Sequence, residues 1–409
     1  MAALVAPAGG MSRRLPGRRL PGRRPAAVTG VTLALALPVL LTAGCGGSQA
    51  RTVTPGRAAA VRPSMVTSSV TPAGNSSAVV EMGGSAAQHA NFWQLFTRTG
   101  PAGSWGLSTP KGVADNGGLV IASRGASSLV TGFVPSQDLT FSPLATTSDN
   151  GASWSPGLVS GGLASLPDAL AADPAGRLLA ILRGGAVQES GPGGASWRRL
   201  AGQRSLAATP AGRACELVSI TAAAFTASGQ PLLGGSCARH GTAGIFALSG
   251  GHWRLAGPAL PAALAGQDIQ VVRLASDGTG EVALLAGGAG AGESLTAAWS
   301  SGQGGRWTLT TPFRMGASQL RSAALGPHGE LEIVLNGSRG LTLAGPGASW
   351  QPLPALPART ATLAAGPGRG VEALTTASAT LSVWRLGAGT TAWRLVQSIT
   401  VPIPFGSSS

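Results

Sequence analysis

The chain has 409 residues, of which 63 are glycine and 29 are proline, and 44% of its residues are hydrophobic. This hydrophobic content, together with a repeated sequence period, favours a folded chain over a disordered one. The formal net charge is +14, but after the N-terminal segment no cluster of Lys and Arg is interleaved with aromatic residues, so we expect no nucleic-acid partner.

The first 44 residues have the layout of an export signal. An arginine-rich segment (13–24) precedes an apolar stretch (31–41), and Thr42-Ala43-Gly44-Cys45 follows. Small residues before a cysteine resemble a bacterial lipobox, in which the cysteine sulfur receives a diacylglycerol and the chain is cut before it. A spanning helix and a plain secretory signal are the alternatives, and the apolar stretch is shorter than the roughly 20 residues that span a bilayer. We predict a signal peptide at 1–44, lipidation of Cys45 and anchorage of the exported protein to the outer face of the cell membrane.

The segment after the predicted lipidation site, residues 45–64, is rich in small and polar residues and has no apolar period. It is predicted to be a flexible tether. Six of the 29 basic residues and none of the 15 acidic ones lie in the signal, which leaves 23 basic residues and a net charge of +8. Such a surface attracts anionic headgroups or acidic wall polymers, although solvated surface arginines are the simpler interpretation.

One motif recurs along the rest of the chain, a tryptophan preceded by a small glycine-containing turn. Its seven copies are 43 to 56 residues apart, a period typical of β-propeller blades. A second turn, often Asp-Gly or Pro-x-Gly between short apolar runs, precedes each copy and indicates a hairpin. Each unit is therefore predicted to contain four strands, two around each turn. The motif tryptophans are Trp105, Trp154, Trp197, Trp253, Trp307, Trp350 and Trp393.

These repeats predict an all-β chain, a β-propeller of four-stranded antiparallel blades over residues 65–400, with a short tail at 401–409. Seven blades are the first choice because the span allows roughly 48 residues per unit. Six or eight blades are alternatives, since the two longest intervals can hold a displaced strand. A β-sandwich or solenoid is the competing fold. We expect no second domain and a monomer.

The most complete copy of the motif, residues 147–154, reads T-S-D-N-G-A-S-W. It resembles the Asp-box of the sialidase-like propellers with BNR repeats. Asp149 is expected to accept hydrogen bonds from nearby backbone N–H groups, Gly151 to take a positive φ, and Trp154 to act as an apolar wedge. The resemblance implies that these residues, with Thr147 and Ser153, are structural, because the Asp-box lies in blade turns and is not catalytic in that family.

The resemblance also implies a test for enzymatic activity. Sialidases of that family use a tyrosine nucleophile, and this chain contains no tyrosine, so their usual chemistry is excluded. Glycoside hydrolysis generally needs two carboxylates about 5 to 10 Å apart. The candidates near blade ends are Asp138, Asp168, Asp268 and Glu293. The four histidines have no metal-binding spacing, and we expect no metal, no cofactor and no enzymatic activity.

Three cysteines are present, and lipidation of Cys45 leaves Cys215 and Cys237 as a pair. They flank the Ser228-Gly229 turn in a chain predicted to be exported, where disulfides persist. We predict a disulfide across neighbouring strands of one blade. The alternative, a metal or redox pair, lacks helping ligands at suitable spacings.

The remaining tryptophans, Trp93, Trp299 and Trp384, precede the next motif tryptophan by 12, 8 and 9 residues. We predict that they pack between blades, and a sugar-stacking platform is the alternative. Two functions stay open. The favoured one is a non-catalytic module that binds an extracytoplasmic protein, peptide or wall polymer, and the other is a degenerate or unconventional glycan-active hydrolase. Two carboxylates and two or more arginines converging at the channel mouth would favour the hydrolase.

Overall fold

The structure, a computed structural model, describes residues 2–3, 66–70, 76–85, 90–99, 103–108, 119–123, 128–133, 144–155, 167–173, 175–182, 184–192, 196–276, 279–288, 292–301, 305–326, 329–336, 339–377 and 380–400. Cys45, the predicted tether, the predicted tail, nearly all of the predicted signal, Asp138 and the side chains of Trp93 and Asp168 lie outside the described residues.

The described strands form five four-stranded antiparallel sheets and one nine-stranded sheet, which are divided below into units called blades 1 to 7. The nine-stranded sheet contains blades 4 and 5, joined by the pairing of Ser236 and Cys237 with Gln270 and Ile269. The short strand β1 (Ala2–Ala3) pairs with β6 of blade 2. Blade 1 contains β2 (Val66–Val70), β3 (Ser76–Ser85), β4 (Ala90–Thr99) and β5 (Gly106–Leu107). Blade 2 contains β6 (Leu119–Ser123), β7 (Leu129–Phe133) and β8 (Leu144–Thr147). Blade 3 contains β9 (Pro167–Ala172), β10 (Leu178–Leu182), β11 (Ala186–Ser190) and β12 (Trp197–Gly202).

Two short helices, α1 (Gln203–Ala207) and α2 (Pro210–Cys215), connect blades 3 and 4. Blade 4 contains β13 (Leu217–Phe225), β14 (Pro231–Cys237), β15 (Gly244–Ser249) and β16 (His252–Leu255). Blade 5 contains β17 (Ile269–Ser276), β18 (Glu281–Gly287), β19 (Ser294–Ser300) and β20 (Trp307–Leu309), and β21 (Phe313–Arg314) pairs with β19. Blade 6 contains β22 (Leu320–Leu325), β23 (Leu331–Leu335), β24 (Arg339–Leu343) and β25 (Gln351–Pro352). Blade 7 contains β26 (Thr360–Ala365), β27 (Val371–Ala377), β28 (Thr380–Leu386) and β29 (Arg394–Thr400).

The first strands of successive blades lie side by side in the order β2, β6, β9, β13, β17, β22 and β26, and β26 in turn lies against β2. This cyclic arrangement of antiparallel meanders makes the protein a β-propeller of four-stranded blades, and it confirms the predicted fold class. The second strands of blades 3 and 6 are buried along their whole length, as expected for strands covered by neighbouring blades on both faces.

The hairpin turns of blades 3, 4 and 6 contain Gly176, Gly229 and Gly329, with φ of 91°, 77° and 82°. Such angles suit glycine, and these are the turns predicted from the sequence. Residues 115–117, the turn predicted for blade 2, lie outside the described residues.

The hydrophobic core is divided among the seams between neighbouring blades. Trp105 of blade 1 shares a cluster with Leu374, Leu381 and Val383 of blade 7. In the same way Trp197, Trp253, Trp307, Trp350 and Trp393 each pack against a cluster that contains residues of the preceding blade. The motif tryptophans are thus spread around the ring as wedges between blades. Trp105 is 5% exposed, whereas the other six are half-buried.

Candidate functional site

The turn at residues 147–154 of blade 2 is built from its own side chains. Thr147 Oγ1 accepts from the Gly151 N–H at 2.8 Å and donates to Asp149 Oδ1 at 2.6 Å. Asp149 Oδ1 also accepts from the Ser153 N–H at 2.9 Å, and the Ser153 hydroxyl donates to Oδ2. Gly151 has φ 85°. The carboxylate is therefore occupied in holding the turn, in the way the sequence predicts.

The hydrogen bonds from Ser153 and Thr147 lower the pKa of Asp149 from 3.8 to about 2, because they stabilise the charged form. The turn also contacts blade 1. Ser108 Oγ donates to the Gly151 carbonyl at 2.7 Å and accepts from Trp154 Nε1 at 3.2 Å. This turn thus joins two blades, and the exposed Asp149 carboxylate is engaged in hydrogen bonds within it.

Cys215 and Cys237 form the predicted disulfide, with a Cα–Cα distance of 5.0 Å, but the bond does not join two neighbouring strands as expected, because Cys215 lies on a helix. Cys237 ends β14, whereas Cys215 ends α2 and lies two residues before β13. The bond therefore ties the helical connection to the second strand of blade 4. Among the described residues, no group of three or more His, Cys, Asp and Glu side chains is arranged to hold a metal ion, and no helix is long and apolar enough to cross a membrane.

The propeller has two chemically different ends. The end that carries the hairpin turns and the tryptophan motifs is called the motif end. At the opposite end, called the entry end, the first and third strands begin and the second and fourth strands stop. Seven exposed arginines of the described residues lie in connections or at strand termini of the entry end. They are Arg204, Arg213, Arg239, Arg314, Arg321, Arg339 and Arg359.

Carboxylates are fewer at the entry end. Within the described ranges they are Asp168, Glu216, Asp268 and Glu293. Glu216 pairs with Arg239 at 3.1 Å, and Asp268 lies 2.8 Å from His240 Nδ1. Glu293 is half-buried, and desolvation raises its pKa. Glu216 and Asp268 thus pair with different basic side chains, and among these described residues no arginine pairs with two carboxylates.

At the motif end most carboxylates are buried, whereas five of the arginines are exposed. The described residues there include eight arginines and seven carboxylates. Arg98 of blade 1 and Arg385 both bind Glu372 of blade 7, at 2.8 and 2.7 Å. Arg177 of blade 3 lies 2.7 Å from Asp173 and donates to the Gly229 carbonyl of blade 4. These ion pairs hold neighbouring blades together. Counted over the described residues, arginine exceeds carboxylate by more at the entry end than at the motif end.

The first strands of blades 3 to 7 each contain a register shift near the entry end. Such β-bulges re-aim side chains and are common beside binding sites. Side chains near these bulges join the first strands to one another: Thr221 Oγ1 donates to the Val271 carbonyl at 2.7 Å, and Ser322 lies 2.6 Å from Thr362 Oγ1. Arg273 Nε donates to the Ala323 carbonyl at 3.0 Å, and burial lowers the pKa of Arg273 to about 10. The inner ring is thereby cross-linked, so the arginines of the entry end are held on a rigid frame.

Sequence reasoning did not separate the two ends, because it treated the 23 basic residues as one set. The position of each arginine relative to the strands of its repeat distinguishes the two ends. Arginines that precede a first strand belong to the entry end, whereas those beside the tryptophan motif belong to the motif end.

No family model matches this sequence, and no curated protein matches it. Solved structures similar to the chain include YCF48 bound to a D1 peptide, which is 14% identical, covers 81% of this chain and 94% of its own, and has a TM-score of 0.48. The β-propeller domain of the Trilobed protease from Pyrococcus furiosus is 9% identical, with coverages of 85% and 99% and a TM-score of 0.48. The GH74 xyloglucanase from Xanthomonas campestris is 14% identical, with coverages of 81% and 52% and a TM-score of 0.44. The fold assignment itself rests on the strand order of this chain.

Proposed function

We propose that the protein is a non-catalytic binding module, anchored by lipid on the outer face of the cell membrane, whose entry end binds an anionic wall polymer. The observation that carries the proposal is the excess of arginine over carboxylate at this end. Seven exposed arginines and four carboxylates lie there among the described residues, against eight arginines and seven carboxylates at the motif end. Clustered charge of one sign raises the local concentration of an oppositely charged ligand and speeds its association.

The arginines extend along the entry ends of blades 3 to 7, from α1 to the residue before β26. Arg314, Arg321 and Arg359 are exposed, and no carboxylate among the described residues forms an ion pair with them. Guanidinium groups bind phosphate or carboxylate oxygens with two parallel hydrogen bonds. An extended row of such groups suits a polymer with repeated negative charges better than a compact ligand.

Two variants with the same charge change test this proposal. The triple variant R314Q/R321Q/R359Q removes three entry-end arginines, and R306Q/R369Q/R394Q removes three exposed arginines of the motif end. At about 1 kcal/mol for each arginine near an anionic surface, the first variant should bind an anionic probe about 100-fold more weakly. The second should bind nearly as the wild type does, and wild-type binding should weaken with added salt.

Isothermal titration with inorganic polyphosphate measures these affinities, and poly-glutamate serves as a probe for an acidic protein partner. Equal losses in both triple variants would refute the entry end as the binding surface. A preference for poly-glutamate over polyphosphate would contradict the polymer and point to an acidic protein. For the anchor, C45A should release the protein from the membrane fraction, and a wild-type protein found soluble outside the cell would overturn that part.

A further inference from the structure

Blades 3 to 7 each have one position on the third strand that faces the seam with the following blade at the motif end. It pairs with the second residue of the second strand. The pairs are Leu179 with Glu189, Leu232 with Ala247, Val282 with Trp299, Glu332 with Thr342, and Glu372 with Arg385. This third-strand residue is called the seam position, and it allows the blades to be compared with one another.

Large or charged groups fill three of these seams. In blade 5, Trp299 is 3% exposed, and its Nε1 donates to the Gly329 carbonyl of blade 6 at 3.0 Å. In blade 7, Arg385 binds Glu372 beside Arg98, whose guanidinium lies 4.8 Å from the Trp105 ring centroid. A planar group, either an indole or a guanidinium, thus occupies each of these two seams.

The third filled seam lies between blades 3 and 4. The seam residue Glu189 is 3.6 Å from Arg177. The Arg177 guanidinium lies 5.2 Å from the Phe225 ring centroid of blade 4. Here too a planar group lies between two blades.

Blade 4 differs because its seam position is Ala247. A cavity of about 350 Å³ lies there between blades 4 and 5. Its floor is apolar and includes Leu232 and Ile245, which are 2% and 0% exposed. One wall is Trp307, whose Nε1 donates to the Ala256 carbonyl at 2.8 Å. That hydrogen bond holds the indole in place, so the cavity has a preformed aromatic wall.

Polar side chains also line the cavity. Thr226 and Gln230 flank the hairpin turn of blade 4, and Arg254 and Glu281 lie beside them. Arg254 is exposed, whereas Glu281 is 4% exposed and accepts from the Ser300 hydroxyl. Leu255 at the edge is 37% exposed. The volume lies in the range of about 300 to 1,000 Å³ typical of small-ligand pockets.

We infer that this cavity is a binding pocket for an aromatic side chain of a peptide partner. In blade 5, Trp299 fills the equivalent space with an indole, so a side chain of this size and shape fits such a seam. Stacking against Trp307 and burial against Leu232 and Ile245 supply apolar contact, and the polar side chains of the lining receive the flanking peptide groups. The pocket opens at the motif end and is separate from the arginines of the entry end.

The test is ligand-observed NMR titration of the whole protein with N-acetyl-tryptophanamide, with N-acetyl-leucinamide for comparison. A247W copies the residue of blade 5 and should fill the pocket, so its affinity for the tryptophan probe should fall at least tenfold. V218W is the matched control, since Val218 is 52% exposed at the opposite end of the same blade, and it should bind as the wild type does. A247L fills the pocket partly and serves if A247W does not fold.

Selective saturable binding of the tryptophan probe by the wild type and V218W, lost in A247W or weakened in A247L, would support the pocket. Absence of binding to the wild type, or equal affinity in the wild type and the filled variants, would overturn it. Preference for the leucine amide would also overturn the aromatic assignment.

Discussion

Replacing Trp299 with alanine is the most direct test of how the blades are held together. The side chain is 3% exposed, and its Nε1 donates to the Gly329 carbonyl across the seam at 3.0 Å. Truncating a buried tryptophan costs about 3 to 5 kcal/mol, of which a hydrogen bond represents about 1 kcal/mol. We expect W299A to lower the free energy of unfolding by about 4 kcal/mol, because the seam between blades 5 and 6 loses its central ring.

W299F is the matched variant, because it retains most of the ring but removes the donor to Gly329. Leaving a carbonyl without its partner costs about 1 to 2 kcal/mol. Urea titration followed by far-UV circular dichroism yields both differences, and an unchanged m-value indicates the same surface exposed on unfolding. If W299A were within about 1 kcal/mol of the wild type, or if W299F cost as much as W299A, the inter-blade wedge would be the wrong explanation.

Three further predictions concern ionisable groups and the disulfide. Burial raises the pKa of Glu332 well above 4.5, with Glu330 adding to the shift, so wild-type stability should decrease as the pH rises from 4.5 through the folded pKa. E332Q should remove that decrease. In thermal melts at pH 7, E332Q should be the more stable protein. Hydrogen bonds hold the pKa of Asp149 at about 2 against an ordinary 3.8, so their contribution to folding stability is present above pH 3.8 and is lost as the pH falls through 2. D149N should flatten this decrease in stability at low pH. The same decrease in D149N and the wild type would contradict the role of Asp149 in the turn. Replacing Cys215 and Cys237 together with serine opens a loop of 22 residues and should lower the free energy of unfolding, measured by urea titration, by about 3 kcal/mol. A loss below about 1 kcal/mol would show that the bond adds little constraint.

Much of the fold could be predicted because β-hairpin chemistry is local. Glycine with a positive φ, as at Gly229 and Gly329, reveals a turn from a few neighbouring residues. The Asp-box bonds likewise lie within seven residues of sequence. The local pattern does not show which strands share a sheet, as in the nine-stranded sheet that contains blades 4 and 5.

The contacts that distinguish one seam from another could not be predicted in this way. Arg98 and Glu372 are 274 residues apart, and no local pattern pairs them. Ala247 is an ordinary alanine in the sequence. Only comparison with Trp299 in the aligned strands shows that the same place holds a small residue in one blade and an indole in the next.

The sequence by itself thus determined the repeat, the turns, the wedge role of the tryptophans and the pairing of Cys215 with Cys237. The tertiary structure alone decided which arginines share an end, which carboxylates are buried in ion pairs, and where a cavity lies between blades. The physical reason is the closure of the ring. It brings the first and last blades together and stacks the faces of neighbouring blades, so residues distant in the chain share one seam whose chemistry depends on both partners.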